Sequence, residues 1–529
     1  MKPISTTRLI IIISLFLVLF TNFTFFSKVT EIYPFNSANI LFLISLGVVL
    51  FSLLILLFTL LSSKYTTKPF LITFMIIAAF SAYFMHSYQV VIDDSMIQNA
   101  VQTNVNESLD LFSWQLVIFV LFLAILPSIY IYKQPLINTS FRQSLKIKAL
   151  ISTLSISVIA ITILVFGSYY SSFFREHKPL RFYTNPTFPI YNIGKYAGMT
   201  FFPKNTTFTK LGTDVKIAPN NDRKLMIMVV GEAARADHFS LNGYSRDTNP
   251  KLKKESDLVN FTDATSCGTS TAVSVPCMFS FLGNGGADTE KARSQENVLD
   301  VLNRAGVNVL WRDNNSDSKG VAVRLKYENF RTPETNTVCE GDECRDEGML
   351  LDLQAYIDSH KNGDILIVLH QMGNHGPAYY KRYPKNYEKF TPTCKTNQLE
   401  QCTKEELSNA YDNAILYTDD FLTKVIELLK QNDNTFQTAM FYASDHGESL
   451  GENGVYLHGL PKLIAPDAQT HIGMMIWLGE KTQKRISLNT LKQQQNSSYS
   501  HVNLPHTLLG FYGAQTTIYD KKLDIINSN

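Results

Sequence analysis

Three short strings in the second half of a 529-residue chain carry residue types that together could move a phosphoryl group. Ser266-Cys-Gly-Thr-Ser-Thr-Ala-Val-Ser-Val-Pro-Cys277 offers a hydroxyl, Thr271, between two cysteines. Val-Val-Gly-Glu232 offers a carboxylate, and Ala-Ser-Asp445-His446-Gly-Glu a carboxylate beside an imidazole. A threonine hydroxyl is a poor nucleophile at neutral pH and needs an adjacent base or a metal to act as one. Carboxylate, imidazole and hydroxyl oxygen are all acceptable to zinc, and four such groups fill its tetrahedral shell. Calcium and magnesium prefer oxygen throughout, so His446 beside Asp445 favours zinc. Singly, each of these residues reads as an ordinary turn or helix start; their joint placement is what points to a site.

That placement follows from the elements around them. From about residue 215 short apolar runs alternate with helical stretches, the pattern of an α/β domain with a largely parallel sheet. Buried strands are expected at Leu225–Val230, Val307–Trp311, Ile365–Leu369, Thr438–Tyr442 and His471–Leu478. Glu232 follows the first. Arg312-Asp-Asn-Asn315 and Lys319 follow the second, His370 to His375 the third, and Asp445-His446 the fourth. Ligands of open α/β sheets bind beyond the carboxyl ends of the strands, so these segments should converge with Thr271. His375 in Gly-Asn-His-Gly-Pro and His458 in Tyr-Leu-His-Gly could bind a second metal, hold phosphate or protonate a leaving group. Asn315 and Lys319 could contact phosphate oxygens.

The first half is a membrane sequence. Apolar runs at Leu9–Phe26, Ala38–Leu61, Pro69–Met85, Leu111–Tyr132 and Ala149–Tyr170 are each long enough to cross a bilayer, giving five spans. Lys2 and Arg8, then Lys64 and Lys68, then Lys133, Arg142, Lys146 and Lys148 fall on one side, while Lys28 and then Asp93, Asp94, Glu107 and Asp110 fall on the other. The positive-inside rule therefore puts the amino terminus in the cytoplasm and everything after the fifth span outside. In the loop after the third span Asn99, Thr103 and Glu107 are four apart and share a helix face, a row suited to a lipid headgroup. Residues 171–214 mix aromatic, basic and proline residues and read as an interfacial linker between a membrane domain (1–170) and an outer domain (215–529).

All six cysteines lie in that outer half. Close spacing favours the pairs Cys267–Cys277, Cys339–Cys344 and Cys394–Cys402 among fifteen connectivities, with zinc ligation as the alternative. Local disulfides imply an oxidising compartment. A net charge of +2 supplies no basic face for a nucleic acid.

These motifs resemble the lipid A phosphoethanolamine transferase family, which includes the colistin-resistance enzymes. The strings that carry it are Val-Val-Gly-Glu-Ala-Ala-Arg-Ala-Asp, the Ser266–Cys277 segment, Trp-Arg-Asp-Asn-Asn-Ser-Asp, Met-Gly-Asn-His-Gly-Pro and Ser-Asp-His-Gly-Glu-Ser-Leu-Gly-Glu, and the likeness runs the full length. It implies an α-helical five-span membrane domain plus an α/β periplasmic domain of alkaline-phosphatase-like fold around a mostly parallel sheet. It further implies a catalytic zinc on Glu232, Thr271, Asp445 and His446, a second zinc left open, and Thr271 as the nucleophile that accepts phosphoethanolamine. His375 and His458 become substrate or second-zinc ligands, Asn315 and Lys319 phosphate contacts, and Asn99, Thr103 and Glu107 lipid contacts. Phosphatidylethanolamine would be the donor and lipid A the acceptor, at the bacterial inner membrane, in a monomeric protein. A core-sugar phosphoethanolamine transferase, a phosphoglycerol transferase and a hydrolase on the same scaffold are the rival readings. A transporter is a further rival, but the spans hold almost no ionisable residues.

Overall fold

A computed structural model describes residues 2–102, 111–201, 207–218, 222–283, 288–341 and 343–527. The chain divides into two compact units, residues 1–97 with 112–202, and residues 98–111 with 203–529.

The first unit is helical, with elements α1 (Thr6–Thr21), α2 (Phe23–Ile32), α3 (Ile40–Leu61), α4 (Thr67–Ser87), α5 (Asp94–Gln102, which runs into the second unit), α6 (Trp114–Lys133) and α7 (Phe141–Val165). Helices α3, α4, α6 and α7 are each long and apolar enough to cross a membrane; α1 and α2 make a fifth span if the bent pair counts as one. The first expected span is thus broken at Asn22, where the axis turns by 57°. The break is built from amides. Asn22 Nδ2 donates to Leu17 O (3.0 Å) and Asn185 O (2.7 Å), and its Oδ1 accepts from Asn185 N (2.8 Å). Asn185 Nδ2 in turn donates to Thr21 O (3.0 Å) and Ala78 O (2.8 Å). Backbone groups freed by a bend in an apolar unit must find partners, and these two buried side chains supply them. In α6 residues Leu121–Ile125 form a π-helical turn just before Pro127, whose missing N–H breaks the regular ladder. The last expected span ends earlier than its apolar run, at Val165, and α8 (Gly167–Glu176) and α9 (Thr187–Phe201) follow.

The second unit is built on a seven-stranded sheet. Its strands are β1 (Arg223–Gly231), β2 (Leu258–Phe261), β3 (Asn308–Asp313), β4 (Lys326–Asn329), β5 (Ile365–His370), β6 (Phe436–Ser444) and β7 (Met474–Leu478), in the order β2-β7-β6-β1-β5-β3-β4. β6, β1, β5, β3 and β4 run parallel; β7 pairs antiparallel with β6, and β2 pairs antiparallel with β7. Alternate residues of the central strands go to opposite faces: Met226, Met228 and Val230 pack with Trp311, Val368 and Phe441, while Leu225, Ile227 and Val229 pack with Ile367, Leu369 and Tyr442. Both faces are covered, which is why these strands read as unbroken apolar runs. α10 (Thr271–Met278) contributes Val275 and Met278 to the first face, and the 29-residue α12 (Lys404–Asn432) contributes its apolar stripe to the second; between them in sequence lies α11 (Thr289–Arg293). A capping box, Thr403 with Glu406, starts α12. The three neighbour disulfides expected from spacing are all present, and among the described residues no cysteine is free.

Asn185→Ala should destabilise the helical unit, because it removes the side-chain donor to the carbonyls of Thr21 and Ala78 while the Asn22 amide keeps its bonds to the backbone of residue 185; each buried group left short of a partner costs about 1–3 kcal/mol. Thermal unfolding in detergent micelles should show a lowered midpoint. An unchanged midpoint would mean that the bend needs no such support.

Candidate active site

Register places the site. Gly231 ends β1 opposite Ser444, the last residue of the neighbouring parallel strand β6, so Glu232 and Asp445 leave the sheet side by side. Asp445 N–H donates to Gly231 O at 2.9 Å, and Asp445 Oδ1 accepts from the N–H groups of Ala233 (3.1 Å) and His446 (2.7 Å). On the other side of β1, the residues after β5 and β3 close in. Asn315 Nδ2 donates both to Glu232 Oε2 and to Gln371 O, each at 2.7 Å. Gly373 has φ +49, and a Cβ there would lie 2.9 Å from Glu232 O, so only glycine lets this loop pass behind Glu232.

Thr271 is the first residue of α10, and its Oγ donates to Glu232 Oε2 at 3.2 Å and lies 3.4 Å from His446 Nε2. His446 Nε2 is 3.3 Å from both Glu232 Oε1 and Asp445 Oδ2. All four side chains are buried. Ligand atoms of Glu232, Asp445 and His446 lie within 4.8 Å of one another, a group able to hold a metal ion. Two details fit zinc. His446 Nδ1 sits 2.8 Å from Gly447 O, a carbonyl that can only accept, so Nδ1 carries the proton and Nε2 turns its lone pair to the cluster. Among the described residues none donates a hydrogen bond to Asp445 Oδ2, which is fully buried. Burial holds the His446 imidazole far below its ordinary pKa, and so neutral, and pushes the Asp445 carboxyl up. A neutral imidazole and an under-partnered carboxylate are what a cation would complete.

The other expected residues fall in three places. His458 packs against His446 (ring centroids 4.2 Å apart), and His375 lies beyond it (5.7 Å from His458), so the three imidazoles form a row leading from the cluster. Asn315 sits at the cluster, but its amide is spent on Glu232 and Gln371. Lys319 Nζ donates to Ser316 O at 2.9 Å, within the same loop. Asn99 is on α5; Thr103 and Glu107 lie outside the described residues.

Several supporting residues are not among those expected from the sequence. His501 Nε2 donates to Ser444 O (2.9 Å) and its Nδ1 accepts from Cys267 N–H (3.2 Å), pinning the threonine loop to the end of β6. Asp313, bound by Trp311 Nε1 and His370 Nδ1 (both 2.9 Å), accepts Asn315 N–H at 3.0 Å. Glu448 Oε2 is 3.3 Å from His458 Nδ1. Asp313 and Glu448 do lie inside the strings Trp-Arg-Asp-Asn-Asn-Ser-Asp and Ser-Asp-His-Gly-Glu, where their neighbours carry the expected roles; His501 lies outside every such string.

A Sulfatase family model matches residues 224–514, and one described as Phosphoethanolamine transferase EptA/EptB matches residues 50–200. The chain is 44% identical over 491 residues to the phosphatidylethanolamine transferase Mcr-2 of Escherichia coli, covering 91% of each. It is 41% identical over 522 residues to phosphoethanolamine transferase EptA of E. coli K12, covering 96% of this chain and 94% of that one. The chain belongs to the phosphoethanolamine transferase family. Among solved structures, the integral membrane lipooligosaccharide phosphoethanolamine transferase A of Neisseria meningitidis matches this transferase with a TM-score of 0.95 at 34% identity, over 100% of this chain and 99% of that one.

The pinning histidine should make the transferase sensitive to acid. Burial lowers the His501 pKa to about 4, below the ordinary 6.5. Between those values the unfolded chain binds the extra proton, so His501 contributes stability that is fully present above pH 6.5 and is lost as pH falls towards 4. Unfolding midpoints measured from pH 7 to pH 4 should fall less steeply in a His501→Gln variant than in the parent; parallel curves would remove His501 from the account.

Proposed function

We propose that this protein transfers phosphoethanolamine from phosphatidylethanolamine to a phosphate of lipid A, through a covalent adduct on Thr271. The observation that carries this reading is the Thr271 hydroxyl, held 3.2 Å from Glu232 and 3.4 Å from His446 at the start of a helix. Helix N-termini favour negative charge, both on a deprotonating hydroxyl and on a phosphoryl group.

Glu232, Asp445, His446 and Thr271 would hold a zinc ion, which when bound supplies Lewis-acid stabilisation of negative charge on the hydroxyl and on the phosphoryl oxygens. Glu232 accepts the hydroxyl proton. Thr271 Oγ then attacks the donor phosphorus, forming an Oγ–P bond as the bond to the glycerol oxygen breaks. The departing diacylglycerol oxygen takes a proton, a role assigned to His458 or His375. In the second half-reaction a lipid A phosphate oxygen attacks the same phosphorus, the Oγ–P bond breaks, and Thr271 regains its proton. Glu448 orients His458, and Asn315 keeps Glu232 turned to Thr271, while Lys319 is assigned to the phosphoryl oxygens. Asn99, with Thr103 and Glu107, is assigned to the donor headgroup. The imidazole row could take a second zinc.

In this reading residues 1–170 are the membrane domain of a monomeric inner-membrane protein, 171–214 the interfacial linker and 215–529 the periplasmic catalytic domain. The product has gained an ammonium group, which weakens the attraction of cationic peptides such as polymyxins to the cell surface.

Purified protein given phosphatidylethanolamine alone should carry the adduct on the tryptic peptide containing Thr271, seen by mass spectrometry. Thr271→Ala should lose the adduct and roughly 10³-fold or more of the activity. An active Thr271→Ala variant would refute the assignment, and modification confined to core sugars in cellular lipid would move the acceptor away from lipid A. His446→Ala should also lower zinc content measured by elemental analysis; retention of a full complement would displace the metal from this cluster.

A further inference from the structure

Lys319 sits in a turn whose backbone is unusual. Asp317 (φ +96), Lys319 (φ +51) and Gly320 (φ +92) are all in the positive-φ region, which two non-glycine residues in three adopt only when neighbours impose it. Asp313 Oδ1 restrains the front of the turn through Asp317 N–H at 3.2 Å. The back is restrained by a residue far from the motif strings. Arg293, the last residue of α11, donates its Nε–H to Lys319 O at 3.1 Å. A Cβ on Gly320 would meet Arg293 Nε at 3.4 Å, so the guanidinium lies directly against the turn.

The other edge of the guanidinium is also used. A guanidinium has donors only, so the buried Gln98 amide facing it must present its oxygen; that oxygen accepts from Nη1 at 3.1 Å and Nη2 at 2.7 Å. Gln98 belongs to α5, next to Asn99. One planar side chain therefore bonds the carbonyl of Lys319 with one edge and the helix of Asn99 with the other.

We propose that Arg293 is a positioning residue of the transfer reaction: it locks the strained Lys319 turn to α5, so that the ammonium meeting the donor phosphate and the helix meeting the donor headgroup keep one separation. The inference rests on the reading of Lys319 and Asn99 given above. Arg293 itself touches neither substrate nor metal ligand in this account. Its effect passes through Lys319, and arginine is required because a lysine ammonium has no flat fork with which to bond both partners in fixed directions.

The test is a double-mutant cycle on the full-length protein in phosphatidylethanolamine-containing nanodiscs, reading formation of the Thr271 adduct. Arg293→Ala should lower the rate of adduct formation about 10²-fold, the size expected when a reacting group is misplaced by about an ångström. Lys319→Ala should lower it at least as far, and the double variant should be no worse than Lys319→Ala alone, because the two losses are one loss. Arg293→Lys should not rescue. Gln98→Leu breaks the same link from its other end and should reproduce part of the defect, while Gln98→Glu, which keeps the acceptor, should not. Zinc content and melting temperature monitor folding; if Arg293→Ala is misfolded, the Gln98 pair tested in the Lys319→Ala background decides. Multiplying losses in the double variant, or full activity of a folded Arg293→Ala protein, would overturn the inference while leaving Lys319 in place. Full activity of Lys319→Ala would overturn both this inference and the reading beneath it.

Discussion

Glu232 and Asp445 are both fully buried and both 3.3 Å from the same imidazole nitrogen, and an anionic pair so placed is costly unless positive charge joins it. Much of the second unit can be understood as the means of holding that pair together. Two adjacent parallel strands end in register to deliver the carboxylates, backbone N–H groups neutralise one oxygen of Asp445, and an asparagine amide from two strands away bonds Glu232. The arrangement has a direction. Imidazoles at 446, 458 and 375 continue from it, and the helix beginning at Thr271 brings its electropositive end to the same cluster.

Much of this was legible because the ligands follow strand ends directly. Where an apolar run stops and a carboxylate or histidine comes next, the geometry of a parallel sheet does the rest, and Glu232, Asp445 and His446 needed no further knowledge to be grouped. Other residues depend on partners that no local pattern names. Asn315 looks like a phosphate contact by type and position, yet its amide is bonded to Glu232 and to Gln371 O. His501 comes 55 positions after His446, at the end of the polar stretch Gln494-Gln-Asn-Ser-Ser-Tyr-Ser-His501 and not at the end of an apolar run, and only the fold brings it to Ser444 and Cys267. The strands Leu258–Phe261 and Lys326–Asn329 escaped for a related reason: as the two edges of the sheet they are less buried and lack the continuous apolar run of a central strand.

The helical unit shows the same division between composition and contact. Apolar length identifies the spans but is blind to what interrupts them. A single asparagine in Thr-Asn-Phe looks like one polar residue tolerated near the end of a span, whereas it is half of a reciprocal amide pair whose other half, Asn185, is 163 residues away. Pro127 was visible as a residue, but a π-turn is only one of several ways a helix can absorb it.

The bridge from Cys267 to Cys277 also has a bearing on how the protein matures. Cys267 Sγ lies 3.5 Å from His501 Nδ1, four residues before Thr271. Were the bridge unmade, a thiolate there would be a softer zinc donor than either carboxylate, with an imidazole alongside to help it trap the ion in the wrong coordination. Closing the bridge removes that competitor, so if a zinc ion is bound here, thiol pairing is best completed before the metal arrives.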